Sequence, residues 1–247
     1  MRWADEGFVL SARKHGESAA IVTLFTRENG RHAGLVRGGS GARARGIYQT
    51  GNLVSAEWHA RLSEHLGTYT CELLRPYAAG LLTERLELLA LTSSAALLER
   101  LLPEREAHPD VYAGFGDLIE SLGVGGGWLT GYVRWELRLL ADLGYGLDLS
   151  CCAATGATEN LVYVSPRTGC AVSAGAGAPY DSKLLKLPAF FINQAAAADP
   201  GAVADGLRLT GHFLGRCAKD ADAGDLPRAR AQFIDRLRRD ATISGNS

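Results

Sequence analysis

The spacing of the apolar residues changes near Pro76, and that change constrains the fold more than any other feature of the chain. Upstream, residues 53–62 alternate: Val54, Ala56, Trp58, Ala60 and Leu62 share one face, and Ser55, Glu57, His59 and Arg61 the other. A period of two is that of a strand buried on one side. Residues 8–13, 19–26, 31–37 and 68–74 are further β-rich runs, the last placing Tyr69, Cys71 and Leu73 together. Turn residues separate them, at Glu28-Asn29-Gly30 and along the glycine-rich stretch 38–46. Five short strands within roughly 75 residues suit a small closed barrel, because closure removes unpaired edges.

Downstream the period becomes helical. Leu88, Leu91, Ala95, Leu98 and Leu102 form one stripe, widened by Leu82, Leu86 and Leu89, and Pro103 and Pro109 end it. Residues 128–143 are apolar nearly all round, which predicts a central buried helix. Val203, Leu207, Thr210, Leu214 and Cys217 mark another helix, and Phe233, Ile234 and Leu237 a last one. Between about 147 and 180 the helical period stops, and Leu161, Tyr163 and 170–172 read as strands around the turn Pro166-Arg167-Thr168-Gly169. The expected class is α+β in two parts: a five-stranded barrel over 1–78, then a mainly helical domain over 79–247 with a small β insertion.

With 47% apolar residues among 247, the chain has material for a sizeable core. No apolar run approaches the roughly 18 residues that span a bilayer. Asp5 and Glu6 stand where a signal peptide would be basic and then apolar. Five cysteines (Cys71, Cys151, Cys152, Cys170, Cys217) make no disulfide framework. A cytoplasmic protein without membrane partners is expected.

The formal net charge of −1 hides a segregation: +3 over residues 1–79, −6 over 80–150 and +2 over 151–247. Residues 11–61 hold eight cations against Glu17, Glu28 and Glu57. Such a stretch is either a polyanion-facing surface or an ordinary solvated sheet face. With 22 Arg and 4 Lys overall, no single arginine is evidence by itself.

Catalytic motifs fail on their spacing. The glycines of 123–127 follow a helical pattern, not the strand that a dinucleotide fingerprint requires. Stretch 38–46 lacks the Lys-Ser/Thr of a phosphate loop. His15-Gly16-Glu17 lacks the Pro-Cys-x-x-Cys partner of a zinc deaminase. No nucleophile elbow or His-Glu-x-x-His occurs, so binding is expected and enzyme chemistry is not.

Taken in order, Gly7-Phe8-Val9-Leu10, His15-Gly16-Glu17-Ser18, Val22-Thr23-Leu24-Phe25-Thr26, Gly30-Arg31-His32-Ala33-Gly34 and Val36-Arg37-Gly38-Gly39 resemble the N-terminal pattern of the RecO family of DNA repair proteins. Glu57-Trp58-His59-Ala60-Arg61-Leu62, His65-Leu66-Gly67, Cys152-Ala153-Ala154-Thr155-Gly156 and Tyr163-Val164-Ser165-Pro166 carry the likeness into the C-terminal half. The resemblance implies an OB-fold over 1–78 and a helical domain over 79–247. It implies a recombination mediator of the RecF pathway that binds single- and double-stranded DNA and anneals complementary strands. With RecR, such a protein helps load RecA on strands coated by single-strand binding protein. Any contact with RecA filaments is indirect, and the place of action is the bacterial nucleoid.

Within that frame the phosphate contacts are Arg13, Lys14, Arg27, Arg31, Arg37, Arg43 and Arg45, with Tyr48 either stacking on bases or in the core. The acidic, apolar-ended tail of single-strand binding protein is assigned to Arg134, Trp135, Arg138 and Leu139. Some members of the family carry four zinc-binding cysteines. Here Cys152 is kept, while Thr155, Ser173 and Ala176 stand at the other three positions, so no metal or other cofactor is expected. The alternatives are a protein-binding OB scaffold without a nucleic-acid role, or an enzyme that docks substrate through the barrel, for which the chain offers no chemistry.

Overall fold

A computed structural model describes residues 1–193, 195–196 and 198–244; the side chains of Arg43 and of 241–244 lie outside that description. Two units form, Met1–Val124 with Pro227–Ile243 and Gly125–Leu226. The first therefore extends beyond the strands and takes in helices that follow them.

The first unit is built on β1 (Arg2–His15), β2 (Ala19–Thr26), β3 (Gly30–Val36), β4 (Leu53–His59) and β5 (Thr68–Arg75). A short helix, α1 (Ala42–Ile47), separates β3 from β4. β1 is long because it serves two partners, pairing β4 through residues 2–8 and β2 through residues 7–15. The strands close into a barrel in the order β1-β2-β3-β5-β4. Inward-facing Val9, Val22, Leu24, Val36, Val54, Ala56, Trp58 and Tyr69 fill it. The alternation read in the sequence holds through Trp58, but β4 stops at His59 and Leu62 lies exposed in the loop beyond it.

The barrel has a seam. Between β3 and β5 the ladder consists of the single pair Leu35↔Thr68. Helices α2 (Tyr77–Gly80), α3 (Arg85–Leu101) and α4 (Pro109–Ser121) follow β5. Phe8 and Phe25 pack on Tyr112 and Phe115 of α4, with ring centroids 5.2–6.5 Å apart. The segment between α3 and α4 runs beside the unpaired part of β3, forming a parallel bridge between Glu104 and Arg31.

The second unit begins with α5 (Trp128–Asp142), whose Trp128, Tyr132, Val133, Trp135, Leu139 and Leu140 are buried. A small sheet of β6 (Leu161–Val164), β7 (Ala171–Ser173) and β8 (Leu185–Lys186) has the order β7-β6-β8. The two-residue β8 is too short to leave a pattern in the sequence. Helices α6 (Ala174–Gly177) and α7 (Pro200–Asp220) complete it, α7 lying against α5. The final helix, α8 (Arg228–Ser244), returns to the first unit and buries Phe233 there. Among the described residues, no helix is long and apolar enough to cross a membrane.

Candidate nucleic-acid interface

Strand register sorts the cations of the barrel. Arg13 lies opposite Ile21, Ile21 opposite Leu35, and Leu35 opposite Thr68, so these residues form one outward-facing row across four strands. Beside it, Lys14, Ala20 and Val36 form the adjacent row, at roughly 5 Å per strand. Arg37 follows Val36 directly. The turn after β3 is stitched to the β1–β2 turn by Ser40, whose N–H donates to the Ser18 carbonyl (3.1 Å) and whose hydroxyl donates to that of Glu17 (3.2 Å). Gly39 allows that approach, since a Cβ there would sit 2.8 Å from the Ala20 Cβ. α1 starts two residues later and carries Arg45.

This assembly places Lys14, Arg37 and Arg45, all exposed, around one end of the barrel. Among the described residues no carboxylate is paired with any of the three. Half-buried Ile21 and Leu35 belong to the outward-facing row, whereas Lys14 stands at the end of the row of core-facing Ala20 and Val36. Arg43 belongs to the same helix by its backbone, and its side chain lies outside the described residues.

The remaining sequence candidates are committed elsewhere. Arg31 is a strut: its Nε donates to the buried Leu102 carbonyl (2.8 Å) and its Nη1 to Glu104 (3.2 Å), leaving the side chain 18% exposed. Arg27 lies over the Tyr112 ring at 5.6 Å and 3.8 Å from the Glu6 carboxylate. Arg13 donates to Glu99 of α3 (2.8 Å), the same oxygen that takes the Ser11 hydroxyl (2.7 Å). Tyr48 is a core residue: burial holds its phenol far above the ordinary value, and it hydrogen-bonds the Cys71 thiol.

The four residues assigned to a protein tail do not form a surface. Trp135 and Leu139 are buried, so a tail contacts them only if the unit unpacks. Arg134 donates twice to the Phe190 carbonyl (3.2 and 3.0 Å) and lies over the Phe190 ring. Arg138 alone of the four is exposed. A helix that is apolar nearly all round is buried for that reason.

Three of the four positions matched to the zinc-binding cysteines come together. Cys152 is buried, and its sulfur accepts the Ser173 N–H at 3.2 Å. Hydrogen bonds from Ser173 and Thr155 pull the thiol down to about 6. Two of the three positions matched by spacing therefore meet at Cys152. One thiol with two hydroxyls does not fit a structural zinc ion, which takes four thiolate or imidazole ligands.

A family model described as "Recombination protein O N terminal" matches residues 1–77, and one described as "Recombination protein O C terminal" matches 82–217. The chain is 50% identical over 247 residues to a "DNA repair protein RecO" from Rhodospirillum centenum, covering 99% of this chain and 98% of that one. It is 49% identical to that of Rhodospirillum rubrum (97% of each chain). With that of Mesorhizobium japonicum it shares 46% identity over 97% of this chain and 94% of the relative.

Proposed function

Because the chain belongs to the RecO family of DNA repair and recombination proteins, we propose that its barrel is an OB-fold that binds single- and double-stranded DNA and that the protein is a recombination mediator. A closed five-stranded barrel with a helix between its third and fourth strands supports the OB assignment. One observation carries the DNA reading. Lys14, Arg37 and Arg45 stand exposed at the turn end of β1, β3 and α1, without a carboxylate partner among the described residues, and half-buried Ile21 and Leu35 lie on the outer face of β2 and β3. Such cations neutralise phosphates, and apolar side chains accept base faces, so affinity is high in low salt and indifferent to sequence.

Annealing then follows from charge alone. Two complementary strands bound at neutralised sites repel each other less, and base pairing completes the step. No proton transfer or nucleophile is involved, and the protein acts as a mediator, not an enzyme. It works in the cytoplasm at the nucleoid, with RecR, to seat RecA on strands held by single-strand binding protein. The acidic tail of that protein reaches the second unit through exposed Arg138 in place of the buried Trp135 and Leu139. The β6–β8 sheet with its Cys152 cluster is a zinc-ribbon remnant in which hydrogen bonds replace the metal.

The decisive experiment is a salt titration of binding to a labelled single-stranded oligonucleotide, followed by annealing of strands coated with single-strand binding protein, with and without RecR. Binding without salt dependence, or annealing indifferent to the protein, overturns the reading. It would leave a protein-binding scaffold.

A further inference from the structure

Helix α7 buries one side and carries a line of cations on the other. Val203, Leu207, Thr210, Leu214 and Cys217 are buried, whereas Arg208, His212, Arg216 and Lys219 are exposed. Spacings of four, four and three residues keep these last four on one face, over roughly 16 Å of helix. Two of them also hold the turn that follows β6. Arg216 donates from Nη1 to the Pro166 (3.1 Å) and Arg167 (3.0 Å) carbonyls, and His212 Nε2 donates to that of Pro166 (3.0 Å). These bonds bring the turn, with its exposed Arg167, against the line.

The carboxylates of α7 stand at the two ends of the line. Asp205 accepts from Arg208 (2.9 Å), whose side chain is still 61% exposed, and Asp220 accepts the Tyr145 hydroxyl (2.7 Å). An ion pair so open is worth at most about 1 kcal/mol, which a phosphate can match. Among the described residues no carboxylate is paired with Arg167, Arg216 or Lys219. Gly211 and Gly215 border the line on the helix surface. A glycine inside a helix costs about 1 kcal/mol relative to alanine, and a Cβ at Gly215 would meet nothing within 4 Å, so internal packing does not call for it. What the glycine provides is a low shoulder over which a ligand can approach the cations.

We propose that this line on α7, with Arg167, is a second binding site for the DNA backbone, so that one chain holds two strands, one on the barrel cations and one on the second unit. This rests on the DNA reading above and extends it, since annealing by charge neutralisation needs both strands at the protein. A stacked strand carries a phosphate about every 3.4 Å, so about five fall along the line. Arg216 is already in place: its Nη1 is held by the turn and its guanidinium lies 5.8 Å from the Phe213 ring centre, while Nε and Nη2 have no partner among the described residues. An acidic protein tail with an apolar end fits less well, because no apolar side chain interrupts the cations to receive that end.

The test titrates the full chain, at low salt, with a labelled oligothymidine of about ten nucleotides. Gly215→Glu sets a carboxylate four residues before Lys219 and removes no hydrogen bond, and a Glu–Lys pair at that spacing favours the helix. Arg167→Glu with Lys219→Glu changes exposed side chains only and keeps the inference testable if the first variant folds poorly. Wild type is expected to saturate with two oligonucleotides per chain, and either variant with one. Annealing of complementary strands is expected to slow about tenfold in both. A wild type that takes one oligonucleotide, with salt-dependent affinity, overturns the second site and leaves the DNA reading standing. Two oligonucleotides on both variants overturn its placement on α7. If the variants keep both oligonucleotides but lose a peptide of acidic residues ending in apolar ones, the line is a protein dock and the proposal fails. Absence of salt-dependent binding by the wild type removes the DNA reading and this inference with it.

Discussion

The two ends of β3 carry the same residue type and use it in opposite ways. At its start, Arg31 is folded under Leu102 and bonded to Glu104, and neighbouring Arg27 lies over Tyr112. Just past its end, Arg37 projects into solvent with Lys14 and Arg45 nearby. What differs is the cover. The segment between α3 and α4, with α4, lies against the Phe25–Arg31 end of the outer face, while in the row of Arg13, Ile21 and Leu35 the contact from α3 is that of Glu99 on Arg13. A cation that has found a buried carbonyl stabilises the fold; one without a carboxylate remains available to a polyanion.

That contrast is broken most directly by two sets of substitutions. Lys14→Ala, Arg37→Ala and Arg45→Ala together are expected to lower the log–log salt slope for single-stranded DNA by about 2, at roughly 0.7 per phosphate contact. At low salt this corresponds to a loss of orders of magnitude in affinity with melting unchanged. Arg27→Ala with Arg31→Ala is expected to do the reverse, sparing the slope and lowering the melting temperature. A fall in slope from the second pair would place DNA on the covered end.

The stability arm has a size. Arg31→Ala leaves the Leu102 carbonyl, on a residue 1% exposed, without its 2.8 Å donor. An unsatisfied buried carbonyl costs about 1–3 kcal/mol, measured as a shift in urea midpoint without change of m-value. An unmoved midpoint would show that water replaces the guanidinium and that the segment between α3 and α4 does not depend on it.

The covered end also has a pH signature. His32 is buried between Trp3, Trp58 and Tyr69; burial first, then the nearby Arg105 cation, lowers its pKa from 6.5 to about 4. The unfolded chain binds this proton more readily than the folded one, so the stabilising contribution is complete above pH 6.5 and is lost as pH falls through about 4. Urea midpoints at successive pH values are expected to decline across that window, and less so in His32→Gln. Identical declines would assign the acid sensitivity to carboxylates.

Much of this was legible beforehand. The period-two run around Val54, Ala56 and Trp58 identifies β4, and the Leu91–Ala95–Leu98 stripe identifies α3, because side-chain period is a local property. The spacing of Thr155 and Ser173 from Cys152 likewise reflects a cluster that forms. The division among the arginines was not legible. Whether Arg31 or Arg37 is free depends on partners some seventy residues away, which composition does not encode. Trp135 and Leu139 show a related error: their apolar surroundings in the sequence are the reason they are buried, and burial removes them as a docking surface.

Arg13 sharpens the comparison because it stands between the two cases. It belongs to the outer row with Ile21 and Leu35, yet its guanidinium is on Glu99, and it is still 73% exposed. An ion pair this open contributes at most about 1 kcal/mol, so Arg13→Ala is expected to leave melting nearly unchanged. Its effect on DNA turns on whether Glu99 or a phosphate holds the side chain. If Glu99 wins, Arg13→Ala leaves the salt slope alone, while Glu99→Gln releases the arginine and tightens binding by roughly two- to threefold with a slope steeper by up to 0.7. The glutamine still accepts the Ser11 hydroxyl, so α3 keeps its hold on β1. Weaker binding by Arg13→Ala, with no gain from Glu99→Gln, would mean that phosphate already displaces the carboxylate and would extend the open end by one strand.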